Sequence, residues 1–145
     1  MMESSTISKQ PIEKKSFSEI LKKENCFIRI PRKPFIDFSF LEDRLNSFSF
    51  GKIEIESWDF SKKIEEIFLT KLDSSKSAIE SEALLAIKED TLSILEESFK
   101  FSKDYRPNEV SLSLVRGVPC TKLHADFLPL RLICTYFGVG TIFLP

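Results

Sequence analysis

The sequence has few of the residues from which enzymes usually build active sites. It contains one histidine, four glycines and three cysteines in 145 residues. It has no Gly-x-Ser-x-Gly elbow, no glycine-rich phosphate loop and no papain-like signature around a cysteine. These absences leave the common serine hydrolase, P-loop and cysteine protease mechanisms without support. The adjacent Glu96 and Glu97 lie on the polar side of a predicted helix, which indicates a hydrated face rather than a glycosidase pair.

The chain also lacks an excess of charge of either sign. Its 21 lysines and arginines are balanced by 22 aspartates and glutamates, which gives a formal net charge of −1. Binding to a phosphate backbone draws on a basic surface, so we expect no nucleic-acid partner. The 14 phenylalanines are spread through segments that a core would use, which favours a core role over base stacking.

Long hydrophobic runs are absent as well. Met1 to Lys15 has no apolar signal-peptide region, and no later window approaches the run of about 18 apolar residues that a membrane span needs. We therefore expect no membrane partner and a cytoplasmic location. The cysteines are odd in number and widely spaced, which fits reduced thiols better than a secreted disulfide framework.

The periodicity of apolar residues divides the chain into a polar tail and one domain. Residues 1–15 are polar and aperiodic, so we predict a disordered tail followed by a single domain over 16–145. Three serine-glutamate pairs have the capping-box spacing and predict helix starts. They are Ser16 with Glu19, Ser39 with Glu42, and Ser77 with Glu80.

Two segments show the apolar spacing of amphipathic helices. Phe60 to Leu72 is predicted to be helical, with Asp59 as its N-cap. Ala78 to Phe101 is predicted to be one long helix that packs across a sheet. Its apolar stripe consists of Leu84, Ile87, Thr91, Ile94, Leu95 and Phe99.

Short apolar runs bounded by proline or glycine predict strands, most of them near the end of the chain. The predicted strands are Cys26 to Ile30, Lys52 to Glu56, Glu109 to Arg116, Thr121 to Asp126, and Leu130 to Phe137. Helices that precede a β-rich end indicate an α+β fold, with N-terminal helices packed on a small antiparallel sheet.

The residues that could carry chemistry lie between Gly117 and Pro145, a segment that contains the only histidine. On an extended strand, His124 and Asp126 project from one face with Cys120 beside them. Thiolate, imidazole and carboxylate together form a ligand set that Zn²⁺ accepts. The facial triad of non-haem Fe(II) oxygenases needs a second histidine, which this chain lacks. The alternative is structural, with Cys120 a small buried hydrophobe and the other two hydrogen-bonded within the sheet.

The next predicted strand carries a second candidate. By the alternation of strand residues, Cys134 lies with Leu132 and Tyr136 inside the sheet, and Arg131 lies on the opposite face. The Arg131 guanidinium could receive the carboxylate of a substrate or cosubstrate, or simply pair with an acidic side chain.

The same region resembles a family of bacterial proteins known as domain of unknown function 1826. The resemblance rests on Cys120, His124 and Asp126, then Pro129-Leu-Arg-Leu-Ile-Cys-Thr-Tyr136, then Gly138-x-Gly-Thr141 and Leu144-Pro145. A looser likeness covers Asn25 to Pro34 and Asp37 to Phe48, so it extends over nearly the whole chain after Ser16.

This resemblance carries further expectations. The His-x-Asp strand is similar to the first ligand strand of Fe(II)/2-oxoglutarate oxygenases, which implies metal ligation by His124 and Asp126 and part of a double-stranded β-helix. Family members continue past Leu-Pro, so a distal histidine and a basic residue for 2-oxoglutarate are expected beyond Pro145, and the chain looks C-terminally shortened. An incomplete sheet would expose an edge through which chains could self-associate. We thus expect an oxygenase-like metal-binding domain with an incomplete site, or else a non-catalytic binding or structural remnant.

Overall fold

The computed structural model describes residues 49–101, 107–113 and 131–136. The predicted N-terminal tail, the helix starts at Ser16 and Ser39, and the strands Cys26 to Ile30 and Thr121 to Asp126 lie outside these residues. Within them the order is β1 (Phe50–Glu54), α1 (Phe60–Asp73), α2 (Ala78–Phe101) and β2 (Glu109–Leu112). The two strands pair antiparallel, and the fold is α+β.

Pairing between distant residues sets the limits of β1. Phe50 lies opposite Leu112 and Ile53 opposite Val110, so β1 carries one extra residue in a bulge between them. The prediction of a strand from Lys52 to Glu56 was therefore wrong by two residues at each end. Ile55 follows the strand, and its amide still donates to the Asn108 carbonyl at 2.8 Å. For β2 the predicted start at Glu109 is confirmed, but the strand ends at Leu112.

Helix α1 confirms the predicted helix to within one residue. Ile64 and Phe68 are one turn apart and fully buried, as the apolar spacing predicts. Asp59 occupies the N-cap position but makes no capping hydrogen bond. Its carboxylate turns back to accept from the Glu56 amide at 2.7 Å and pairs with Lys63 at 2.9 Å, so the predicted cap was wrong.

Two lysines fasten α1 to the strand that precedes it. Lys63 Nζ donates to the Glu54 carbonyl at 2.8 Å, and Lys71 Nζ donates to the Ser49 carbonyl at 2.6 Å. The lysines are eight residues apart and so lie on one side of the helix. Partial burial lowers the pKa of Lys71, because it disfavours the charged ammonium. The two contacts hold the ends of β1 along α1.

Helix α2 has the predicted bounds, and its capping box is present. Ser77 Oγ accepts the Glu80 amide at 3.2 Å. The Glu80 carboxylate accepts the Lys76 amide at 2.9 Å, one residue earlier than in the usual arrangement. Glu80 is only 3% exposed, so these bonds satisfy polar groups that would otherwise be costly to bury. The start at Ser77 is confirmed.

The core lies between the two helices and one face of the hairpin. Phe60 at the start of α1 stacks on Phe99 near the end of α2 at 4.9 Å between ring centroids, so the helices run antiparallel. The predicted long helix thus packs mainly on α1, and it shares its core with the sheet. The buried cluster consists of Ile55, Ile64, Phe68, Ala83, Leu84, Ile87 and Leu95, with Phe50, Ile53, Val110 and Leu112 of the strands packed against it.

Candidate functional site

The predicted ligand residues Cys120, His124 and Asp126 lie outside the described residues, so their convergence stays a prediction. Arg131 lies inside them, and its side chain is exposed. Among residues 49–101, 107–113 and 131–136, no three histidine, cysteine, aspartate or glutamate side chains form a group that could hold a metal ion.

The segment that follows the predicted ligand strand differs from its prediction. Residues 131–136 have no regular secondary structure, although a strand was predicted from Leu130 to Phe137. Leu132 is largely exposed, so its predicted inward position was wrong. Cys134 and Tyr136 are half-buried, while Ile133 and Thr135 between them are exposed. Alternate residues therefore still face inward, without the strand pairing that the pattern predicted.

Tyr136 attaches this segment to the centre of α2. Its ring packs against the buried core cluster, and its hydroxyl donates to Asp90 Oδ2 at 2.6 Å. Burial raises the pKa of the Tyr136 phenol far above its ordinary value, and the nearby Cys134 and Asp90 raise it further. The phenol is therefore held in its neutral, donating form.

Asp90 lies on the broad buried face of α2. Ala86 and Ile94, one turn before and one turn after it, are only 2% and 8% exposed. At 100° per residue, Ile94 projects about 20° from Ile87 and Asp90 about 60° from it, and Ile87 belongs to the core cluster. The Tyr136 hydroxyl therefore reaches a carboxylate beside the core, next to the cluster against which its ring packs.

Asp90 was not among the candidate residues predicted from the sequence. A carboxylate on a helix whose other exposed positions carry glutamate and lysine resembles part of a hydrated face. A usable signal was present, because Ala86 and Ile94 flank Asp90 at a spacing of four residues. That spacing indicates an apolar ridge interrupted by one polar residue.

A family model described as "Protein of unknown function (DUF1826)" matches residues 40–145. The chain belongs to this family. The DUF1826 match includes the Cys120 to Asp126 motif, both helices, and the Asp90 and Tyr136 contact. No curated protein and no solved structure matches the chain. No helix among the described residues has the length and apolar character needed to cross a membrane.

Proposed function

We propose that this DUF1826 chain is a metal-binding domain whose protein ligands are Cys120, His124 and Asp126. The observation that carries the proposal is the spacing Cys-x-x-x-His-x-Asp, which contains the only histidine and lies within the family match. His124 and Asp126, two residues apart on an extended strand, project from the same face with their Cα atoms about 7 Å apart, which two ligands of one ion can span. Cys120 would lie about 13 Å from His124 on a straight strand, so its thiolate joins the same ion only where the chain bends between them.

The chemistry of this ligand set favours zinc over iron. Zn²⁺ accepts thiolate, imidazole and carboxylate, and three protein ligands leave a fourth position open for water or a substrate. An Fe(II) facial triad consists of two histidines and one carboxylate, whereas the proposed set contains a thiolate in place of one imidazole. The proposed likeness to oxygenases therefore concerns the ligand strand, and we derive no oxygenase reaction from it.

Arg131 is the proposed contact for an anionic substrate or cosubstrate. It follows Asp126 by five residues, and its side chain is exposed. A guanidinium binds a carboxylate through two parallel hydrogen bonds, which suits a small acid held near a metal. This role depends on the metal site, because Arg131 by itself is an ordinary exposed cation.

Metal content of the purified chain tests the proposal. The protein is stripped with a chelator, reloaded separately with Zn²⁺ or Fe²⁺, and freed of excess metal before elemental analysis. We expect about one equivalent of Zn²⁺ per chain, lost in His124→Ala. Asp126→Asn is compared with Asp73→Asn, an exposed aspartate at the end of α1. Cys120→Ser is compared with Cys26→Ser, which lies outside the family match.

The result separates the proposal from the structural alternative. Retention of metal by the two control variants, with loss in the three ligand variants, supports a specific site. Failure of the native chain to hold Zn²⁺ or Fe²⁺ rejects the proposal and favours His124 and Asp126 as hydrogen-bonding residues of a non-catalytic domain. We expect no Fe(II)-dependent 2-oxoglutarate decarboxylation by this chain. Turnover that His124→Ala abolishes would contradict that expectation and show a complete site, assembled for example from two chains.

A further inference from the structure

Trp58 is the most exposed large apolar residue in the part of the chain that the structure describes. It is 82% exposed, whereas the next, Leu69, is 55% exposed. A tryptophan in a folded chain normally buries most of its ring, because that ring is a very large apolar surface. Tryptophan is also among the residues most enriched at the energetic centres of protein contacts. Trp58 is therefore the described residue best suited to anchor a partner.

The turn that carries Trp58 is fixed by hydrogen bonds on both sides of the ring. Asp59 Oδ1 accepts the Glu56 amide at 2.7 Å, and the Glu56 carbonyl accepts the Asp59 and Phe60 amides at 3.2 and 3.1 Å. Lys63 also pairs with the Asp59 carboxylate at 2.9 Å. A backbone that is already held in place loses little entropy when a partner covers its side chain, which favours binding there.

The strands that lead to this turn present carboxylates to solvent. Glu54 lies directly opposite Glu109, and both are exposed. Glu56 follows the buried Ile55 and is exposed as well. None of these three carboxylates forms a salt bridge with another described residue. Like charges directly opposite one another on paired strands repel, so the pairing of β1 with β2 gains nothing from Glu54 and Glu109.

The nearby lysines leave this surface acidic. Lys63 is held by the Asp59 carboxylate and the Glu54 carbonyl, and Lys52 is the one cation within β1. An acidic surface repels nucleic acids, anionic membranes and acidic proteins, and it attracts cations. A guanidinium matches both features of the surface, because it stacks on an aromatic ring and binds carboxylates through parallel hydrogen bonds.

We propose that Trp58, Glu54, Glu56 and Glu109 form a docking surface for an arginine-containing segment of a partner protein. One guanidinium stacks on the Trp58 ring, and a second binds between Glu54 and Glu109. Trp58 follows Glu54 by four residues, so their Cα atoms are at most about 14 Å apart. Two arginines of one extended segment can span that distance. The surface is independent of the proposed metal site, and the failure of either proposal leaves the other standing.

Intrinsic fluorescence tests whether this surface is open, because Trp58 is the only tryptophan of the chain. Acrylamide should quench the full-length chain about as efficiently as it quenches N-acetyltryptophanamide. Weak quenching at every protein concentration would show that another part of the chain covers the ring, and weak quenching that dilution relieves would identify a second copy as the occupant. Either result would overturn the proposal.

Titration with short capped peptides tests the chemistry of the partner. A peptide of alternating arginine and glycine should change the Trp58 emission until the change saturates, and about 1 M salt should weaken its binding because the Debye length is then only about 3 Å. A glutamate-glycine peptide of the same length should leave the emission unchanged. Absence of saturable binding by the arginine peptide, or equal binding of the two peptides, would overturn the proposal.

Matched variants locate the binding site, with affinity measured by the anisotropy of a labelled arginine peptide. Glu54→Gln and Glu109→Gln should each weaken binding about two- to fivefold, the factor that corresponds to one exposed ion pair. Glu65→Gln, at an exposed carboxylate of α1, should leave the affinity unchanged. Trp58→Ala should weaken binding by a similar factor, whereas Leu69→Ala should not. Equal losses in the control variants, or native affinity in Trp58→Ala, would refute this docking surface.

Discussion

Replacing Leu95 by alanine should destabilise the protein far more than the same change at Leu85. Both leucines belong to α2, so helix propensity changes equally at the two positions. They differ in surroundings, because Leu95 is 6% exposed within the core cluster and Leu85 is 42% exposed. The pair therefore isolates the contribution of packing between α2 and α1.

The magnitude follows from the burial of each side chain. The three carbons that separate leucine from alanine contribute about 0.8 kcal/mol each when buried, or about 2.4 kcal/mol in all for Leu95. The cavity left between the helices brings the expected loss to about 2 to 5 kcal/mol. At Leu85 water can occupy the vacated space and no closed cavity forms, so we expect a loss below about 1 kcal/mol.

Urea unfolding followed by circular dichroism measures both values. With a slope of about 1 to 3 kcal/mol per molar urea, Leu95→Ala should move the midpoint lower by about 1 M or more, while Leu85→Ala moves it little. A loss at Leu95 below about 0.5 kcal/mol, the scale of surface substitutions, would place that residue outside the core. Equal losses at both positions would refute the argument that α2 packs through the Leu95 face.

Three further perturbations address the cap, the helix pair and the buried phenol. Ser77→Ala should lower the free energy of unfolding by about 0.5 to 2 kcal/mol in urea, because it removes the oxygen that accepts the Glu80 amide. Ser93→Ala, at an exposed position of the same helix, should be neutral or slightly stabilising. Equal effects of the two substitutions would show that the Ser77 hydroxyl does not cap α2. A double-mutant cycle with Phe60→Ala and Phe99→Ala should give a coupling energy of about 0.5 to 1.5 kcal/mol, and additive losses would argue against the ring contact. The pKa of Tyr136 is higher in the folded chain than in the unfolded chain, so folding favours the neutral phenol. This contribution to stability is fully present below about pH 10, the pKa of tyrosine in an unfolded chain, and it declines as the pH rises above that value. Unfolding free energies at about pH 8 and about pH 11 should therefore fall more steeply in the native chain than in Tyr136→Phe, and parallel declines would contradict a buried neutral phenol.

The sequence by itself determined the helices, because their signals are local. The bonds that start and maintain α2 join residues four or fewer apart, so the Ser77 and Glu80 box and the apolar stripe were sufficient to place Ala78–Phe101. The same reasoning placed α1 to within one residue. The run of residues from Cys120 to Pro145 also showed the resemblance to the family, which the match over residues 40–145 confirms.

Only the tertiary structure decided where the strands and the C-terminal contacts lie. The limits of β1 depend on pairing Phe50 with Leu112, and no pattern within β1 records that partner. Alternating residues 131–136 predicted a strand, yet their attachment to α2 through Tyr136 replaces strand pairing in the described part of the chain. Asp90 gained its role in the same way, since a carboxylate on a helix has no local property that separates a hydrated position from one that receives a buried phenol. Local hydrogen bonds can be deduced from neighbours in sequence, whereas strand pairing and buried polar contacts depend on residues that only the folded chain brings together.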